Sequence, residues 1–158
     1  MRYLVIITLL FSSCIAQAKI QNKYTGYEIN HMFKSLQNFI VDYEVENGGP
    51  VLDNKVSIYR INKNHCVIIS KVDGDSGGYG SEDLLYFYNS KFLSGYSLSY
   101  SYTYLNSKGT KKSNKPSYME IIDDSENAKV LRTDFKNYLK KMNKNTLSKC
   151  SSKNQQKK

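Results

Sequence analysis

The segment VSIYRINKNHCVIISKV, residues 56–72, decides the fold. It contains two runs rich in β-branched residues, Val56–Ile61 and His65–Val72, and the polar triplet Asn62-Lys63-Asn64 separates them. Branched side chains favour strands, and a short asparagine-rich link favours a tight turn. The segment therefore predicts a β-hairpin. Closure of this hairpin at Ile61 and His65 gives two further cross-strand pairs, Ile58 with Ile68 and Arg60 with Cys66.

A second hairpin is predicted in LLYFYNSKFLSGYSLSYSYTYL, residues 84–105, with strands at Leu84–Tyr88 and Phe92–Leu105 around a turn at Asn89-Ser90-Lys91. From Tyr96 onward the long strand alternates, which is typical of a strand with one buried face. One face has Tyr96, Leu98, Tyr100, Tyr102 and Tyr104, and the other has Ser97, Ser99, Ser101 and Thr103. We expect Leu98 and its central neighbours in the core, and Tyr102 and Tyr104 at a contact surface near the strand end.

A helical pattern precedes the strands. Thr25-Gly26-Tyr27-Glu28 has the form of a capping box, and apolar residues then recur at three- and four-residue spacing. The pattern predicts an amphipathic helix of about four turns, which Asn47-Gly48-Gly49-Pro50 would end. The apolar positions of this predicted helix are Ile29, Met32, Phe33, Leu36, Ile40 and Tyr43.

A second amphipathic helix is predicted after Asp124 or Ser125. A basic polar loop at Lys108–Ser117 and a short fifth strand at Tyr118–Ile122 precede it. Its apolar stripe consists of Ala128, Leu131, Phe135, Tyr138, Leu139 and Met142. Its basic stripe consists of Lys129, Arg132, Lys136 and Lys140.

This order of elements predicts an α+β fold. We expect a single antiparallel sheet of four to five strands, with the N-terminal and the C-terminal helix packed on one face. The order is broadly like that of cystatin or NTF2-type layouts. Because that likeness is one of element order only, it implies no function.

The first 18 residues have the anatomy of a signal peptide. Arg2 precedes the apolar run Tyr3–Phe11, and Ala16-Gln17-Ala18 offers small residues where a signal peptidase cleaves. We therefore expect a leader at residues 1–18, one globular domain at 19–150 and a disordered basic tail at 151–158. The alternative is a lipoprotein anchored at Cys14. Both interpretations place the protein beyond the cytoplasmic membrane, in the periplasm or secreted.

Removal of the leader leaves two cysteines, Cys66 and Cys150. Two cysteines in an oxidising compartment predict one disulfide bond. Neither cysteine lies in a spacing typical of a metal site, so a reactive or metal-binding thiol is the less favoured alternative.

The positive charge is concentrated in the last third of the chain. Residues 19–107 contain eight basic and nine acidic residues, whereas residues 108–158 contain fourteen basic and five acidic residues. Such asymmetry is typical of a protein that binds an acidic protein surface, an anionic glycan or a membrane face. A solvated helix face followed by a disordered tail would give the same excess of basic residues.

The residues that usually perform catalysis form no recognisable pattern. His65 and Cys66 are neighbours on a strand and point to opposite faces, so they do not form a catalytic dyad. Asp73, Asp75 and Gly78 match three positions of a calcium-binding loop, but the position of its bidentate glutamate is Leu84. We interpret Asp73–Asp83 as a loop between strands. Acidic residues elsewhere in the chain select no pair for hydrolysis, and we expect no metal site, no cofactor and no enzymatic activity.

We therefore expect a small exported binding protein of a Gram-negative periplasm. Most narrowly, it would be an inhibitor or immunity protein that blocks a cell-envelope-targeting toxin or hydrolase with an acidic surface. The alternatives are a binder of an anionic envelope component, such as lipopolysaccharide or an acidic glycan, and, third, an uncharacterised hydrolase. No nucleic-acid partner is expected, because the tyrosines alternate with serines rather than with basic residues. The candidate contact residues are Tyr102, Tyr104, Lys108, Lys111, Lys112, Lys115, Lys129 and Arg132.

Overall fold

The computed structural model describes residues 23–43, 52–73, 79–105, 109–112, 118–120 and 125–151. The predicted leader and the predicted tail after residue 151 lie outside the described residues. The elements are α1 (Gly26–Met32), β1 (Ser35–Tyr43), β2 (Leu52–Asn62), β3 (His65–Asp73), β4 (Tyr79–Tyr88), β5 (Lys91–Leu105), β6 (Gly109–Lys112), β7 (Met119–Glu120), α2 (Glu126–Lys141) and α3 (Lys144–Lys149).

The strands form one antiparallel sheet in the order β1-β2-β3-β4-β5-β6, and β7 also pairs with β5. The predicted α+β class with a single antiparallel sheet is confirmed. The strands outnumber the four or five expected, because β1 replaces a predicted helix and β6 lies within the predicted loop Lys108–Ser117. In the same way, β4 begins at Tyr79, so that Ser81–Asp83 belong to a strand rather than to the predicted loop.

The central hairpin of β2 and β3 has the predicted register, with Ile58 opposite Ile68 and Arg60 opposite Cys66. Its closing pair differs from the prediction. Asn62, not Ile61, pairs with His65, and a bulge between Arg60 and Asn62 takes up the extra residue.

The second hairpin is also present, but its turn is Asn89-Ser90, and the predicted turn residue Lys91 begins β5 and pairs with Tyr88. Asn89 and Ser90 both have positive φ, 49° and 58°. A two-residue turn of this kind matches the right-handed twist of the flanking strands, and asparagine tolerates the left-handed region better than most residues do.

The predicted four-turn first helix is wrong beyond Met32. The Thr25–Glu28 capping box is present and begins α1, but the chain then extends and forms β1. Phe39 and Val41 pack against the core whereas Ile40 is 54% exposed, which is the two-residue period of a strand. Spacing alone favoured the helix, but pairing of β1 with β2 satisfies the backbone over the whole segment. The predicted terminator at residues 47–50 lies outside the described residues.

The helices pack on both faces of the sheet, not on one face as expected. Ile29 of α1 is buried against one side of β2–β5, with Tyr59, Val67, Leu84 and Tyr86. Residues of α2 and the C-terminal end cover the other side. This second core consists of Val56, Ile58, Cys66, Ile68, Leu85, Phe87, Leu131, Phe135, Tyr138, Met142 and Cys150. The physical reason is that β3 and β4 are apolar on both faces, so each face requires a cover.

The C-terminal segment is fixed to the sheet at several points. Ser125 caps α2, as one of the two predicted caps, and Asn143 caps α3 after a short break. Cys66 and Cys150 form a disulfide, with sulfur atoms 2.03 Å apart. The predicted bridge is therefore confirmed, and it joins β3 to the end of α3.

Candidate functional site

The outward side of α2 carries the strongest concentration of positive charge among the described residues. Residues 125–151 contain seven basic side chains, all exposed, and two acidic ones, Glu126 and Asp134. Four of the basic residues follow helical spacing and form one stripe. We call this stripe the basic face; it consists of Lys129, Arg132, Lys136 and Lys140.

Contacts with the sheet hold the helix that carries the basic face. The guanidinium of Arg132 lies 5.0 Å from the centre of the Phe92 ring, a cation–π contact with the start of β5. The side chain of Gln37 on β1 donates to the carbonyl of Lys141 and accepts from the backbone N–H of Asn143, both at 3.0 Å. These contacts and the disulfide hold α2 at Arg132, the junction of α2 with α3, and the end of α3 against the sheet.

The tyrosines and lysines expected at the end of β5 belong, where the structure describes them, to the β5–β6 ladder. The β5–β6 register places Tyr102 opposite Lys112, Thr103 opposite Lys111 and Tyr104 opposite Thr110. Lys108 and Lys115 lie outside the described residues. The structure thus brings the backbones of Tyr102 and Lys112 together, while Lys111 occupies the neighbouring register position.

The structure describes the two predicted groups on different elements, the β5–β6 ladder and α2. Arg132 contacts Phe92, at the start of β5, and Tyr102 lies ten residues further along the same strand. At about 3.3 Å per residue, this corresponds to a separation of roughly 33 Å along the strand. We therefore treat the end of β5 and the basic face as two candidate surfaces, and their combination into one contact face stays a prediction.

The inward side of α2 covers a cleft above the sheet. The cleft has a volume of about 580 Å³, and the exposed residues Met119 and Glu120 of β7 belong to its lining. We call it the α2 cleft and define it by six polar residues that line it, Asn54, Ser70, Asp83, Ser97, Asp134 and Tyr138.

One end of the α2 cleft is a closed hydrogen-bond network. Asn54 Nδ2 donates to Tyr138 Oη at 2.8 Å, and Ser70 Oγ donates to Asn54 Oδ1 at 2.8 Å. Ser70 Oγ and Tyr138 Oη are 3.0 Å apart. Asn54 and Ser70 occupy the same sheet face as Val56 and Ile68, so the network marks the point at which this face changes from apolar to polar.

The other part of the α2 cleft is acidic. Asp83 on β4 accepts a hydrogen bond from Ser97 Oγ on β5 at 2.5 Å. Burial raises the pKa of Asp83 to about 6; the Ser97 hydrogen bond opposes this rise, and the charges of Asp134 and Glu82 add to it. Burial also raises the pKa of Asp134 on α2. Asp83 and Asp134 therefore present two partly desolvated carboxyl groups to one cavity.

Sequence reasoning missed this arrangement. Asp83 falls at the end of the predicted loop Asp73–Asp83, and Asn54, Ser70 and Asp134 are absent from the predicted contact residues. A signal existed in α2: Asp134 lies three residues after Leu131 and four before Tyr138, which places it on the apolar stripe. A polar residue at such a position indicates a cavity or a buried partner.

The acidic residues around the predicted Asp73–Asp83 loop have separate partners where the structure describes them. Glu82 and Asp83 are consecutive in β4 and point to opposite faces of the sheet. Glu82 accepts a hydrogen bond from Tyr118, whose oxygen also accepts from the backbone N–H of Gly26 at 2.8 Å. Asp73 pairs with Lys71 at 3.1 Å, and Asp75 lies outside the described residues. Across the described ranges, no group of three metal-binding side chains occurs.

Comparison with protein-family models, curated proteins and solved structures gives no match to this chain. In the part of the chain that the structure describes, no helix is long and apolar enough to cross a membrane.

Proposed function

We propose that this protein is a small exported binding protein, without enzymatic activity, that docks its basic face onto an acidic surface of a protein partner. The favoured partner is a toxin or hydrolase that acts on the cell envelope, so that the protein serves as an inhibitor or immunity protein. The observation on which this proposal rests is the exposed row of Lys129, Arg132, Lys136 and Lys140 along one helix.

Three features support the proposal. The chain before residue 108 has nearly balanced charge, so the basic face is a local feature and not a general property of the surface. The disulfide suits an oxidising compartment. The contacts of Arg132 and Gln37 hold the helices before any partner binds, and a surface that is already ordered loses little conformational entropy on association.

The test compares two variants that change net charge equally. The basic-face variant combines Lys129→Glu, Lys136→Glu and Lys140→Glu, and it keeps Arg132 because that residue packs on Phe92. The control variant combines Lys34→Glu, Lys55→Glu and Lys63→Glu, which are exposed lysines in other parts of the fold. Exposed charges contribute little to stability, so both variants should melt close to the wild type.

Wild type and both variants are first used as baits against periplasmic extract and against medium from competing bacteria. The captured protein is then purified, and its dissociation constant is measured at low and at moderate salt. We expect the basic-face variant to bind at least about tenfold more weakly, chiefly through slower association, and the control variant to bind like the wild type.

Two outcomes would overturn the proposal. Equal losses in both variants would show that only net charge matters. Saturable binding to lipopolysaccharide micelles that salt abolishes, with no captured protein that distinguishes the two variants, would replace the proposal with the anionic-envelope alternative.

A further inference from the structure

We infer that the α2 cleft is a second binding site, separate from the basic face, and that it takes a small organic molecule with a primary ammonium group. Linear amines and amino sugars share this chemistry. The inference goes beyond the proposed function, because the cleft lies on the inward side of α2 and the basic face on its outward side.

The dimensions of the cleft suit such a ligand. Its volume of about 580 Å³ lies within the range that small-molecule sites occupy. The floor is the sheet and the roof is α2, so the described lining residues belong to strands, to α2 or to its N-cap. A bound molecule would therefore meet side chains that are already in place.

The charge of the lining selects the sign of the ligand. Three of the described lining residues are charged, Asp83, Glu120 and Asp134, and all three are acidic. Among the described lining residues there is no lysine, arginine or histidine, although the whole chain has a net charge of +9. A negative cavity inside a positive protein attracts small cations that the rest of the surface repels.

The remaining lining residues favour an ammonium on an organic body over a bare ion. Ser97 and Asp83 supply oxygens at one position, and the network of Asn54, Ser70 and Tyr138 supplies hydroxyl and amide groups at another. Val72, Val130 and Leu131 contribute apolar surface to the same cavity. An alkyl chain or a sugar ring suits this mixture, with its ammonium beside the carboxylates.

Matched probes test the inference. The protein is titrated with 1,6-diaminohexane and with 1,6-hexanediol, which differ only in their amino and hydroxyl ends, and then with glucosamine and with glucose. Binding is followed by calorimetry and by the backbone amide signals of Asn54, Ser70 and Ser97. We expect at least one amine to bind with a dissociation constant below about 1 mM, and its neutral match to bind at least tenfold more weakly.

A charge-matched pair of variants locates the site. Asp134→Asn removes one carboxylate from the cleft, whereas Glu126→Gln removes one from the exposed start of the same helix. We expect about a tenfold loss of amine affinity in the first variant and no change in the second. The basic-face variant should bind the amine like the wild type. The amine-site inference and the proposed docking function can therefore fail independently of each other.

The inference is wrong if neither amine binds more tightly than its neutral match, or if Asp134→Asn and Glu126→Gln have equal effects. It is also wrong if an amine binds but shifts only amides remote from the cleft. If only the diamine or only glucosamine binds, the result assigns the ligand to linear amines or to amino sugars.

Discussion

Asp83 places an ionisable carboxyl group at a largely buried position in β4. Its carboxyl group faces α2, and burial raises its pKa to about 6 from an ordinary value of 3.8. The folded protein therefore binds this proton more tightly than the unfolded chain does. The free energy of unfolding therefore falls as pH rises from about 4 to about 6, because the buried carboxyl group must ionise at the cost of desolvation. This lower stability persists at neutral pH.

The variant Asp83→Asn should accordingly be more stable than the wild type at neutral pH, because its amide oxygen still accepts from Ser97 and carries no charge. We expect a gain of about 1–2 kcal/mol, since one pKa unit corresponds to about 1.4 kcal/mol and water screens part of the effect. The gain should vanish below about pH 4, where the wild-type carboxyl is protonated in both states. Urea unfolding across this pH range measures it, and a loss of stability at neutral pH would contradict the assignment.

Tyr138 closes the polar network at the other end of the α2 cleft. In Tyr138→Phe the amide of Asn54 and the hydroxyl of Ser70 lose a partner inside the fold. We expect a loss of about 1–3 kcal/mol, the cost of an unsatisfied buried group.

Tyr59→Phe is the control for that change. Tyr59 is also buried, but its hydroxyl donates to Asn30, which is exposed and can bond to water instead. The loss in Tyr59→Phe should therefore be smaller. Equal losses, measured by urea unfolding, would show that Tyr138 acts only through its ring.

Among the elements, β1 shows that one pattern of apolar residues can be compatible with both a helix and a strand. The apolar residues from Ile29 to Tyr43 fit helical spacing, but Phe39 and Val41 face the core while Ile40 faces solvent. The choice between helix and strand depends on the ladder with β2, which is distant in sequence. Local patterns do not encode such a partner.

A pair of alanine substitutions tests the strand directly. Phe39→Ala should lower the free energy of unfolding by about 2–3 kcal/mol, because the ring packs against the core beside Tyr138, at 6.4 Å between ring centres. Ile40→Ala should change it by less than about 0.5 kcal/mol. A helix with the predicted apolar stripe would require Ile40 to be buried, so a large loss in Ile40→Ala would contradict the strand.

The hairpins could be predicted because their signals are local. Branched residues, asparagine-containing turns and alternation predict the β2–β3 and β4–β5 pairings, and each signal lies within about twenty residues of chain. The α2 cleft could not be predicted, because Asn54, Ser70 and Asp134 come from three distant segments. Their proximity depends on how α2 crosses the sheet, which no single pattern specifies.

At the scale of the whole molecule, α2 separates two surfaces of opposite charge. Its outward side is basic, and its inward side covers an acidic cleft. The basic face and the acidic cleft stay apart only while the C-terminal helices keep their position on the sheet. The Cys66–Cys150 disulfide spans 84 positions and supports that position.

The double variant Cys66→Ser, Cys150→Ser tests the contribution of the bridge. In the chain-entropy model a loop of this length stabilises the fold by about 4–5 kcal/mol, although measured values are often smaller. We expect a clear fall in melting temperature relative to the oxidised wild type. Thiol titration of denatured, unreduced wild type should find no free Cys66 or Cys150, and two reactive thiols per chain would contradict the bridge.

The central claim, that the basic face is the docking surface, is tested most directly by lysine acylation of the protein alone and in complex with the captured partner. Peptide mass spectrometry reports the reaction rate at each lysine, and Lys34, Lys55 and Lys63 are internal references. We expect Lys129, Lys136 and Lys140 to react at least about fivefold more slowly in the complex, because an interface core excludes water and reagent, while the reference lysines keep their rates. Unchanged rates along α2, with protection at the reference lysines instead, would contradict the account.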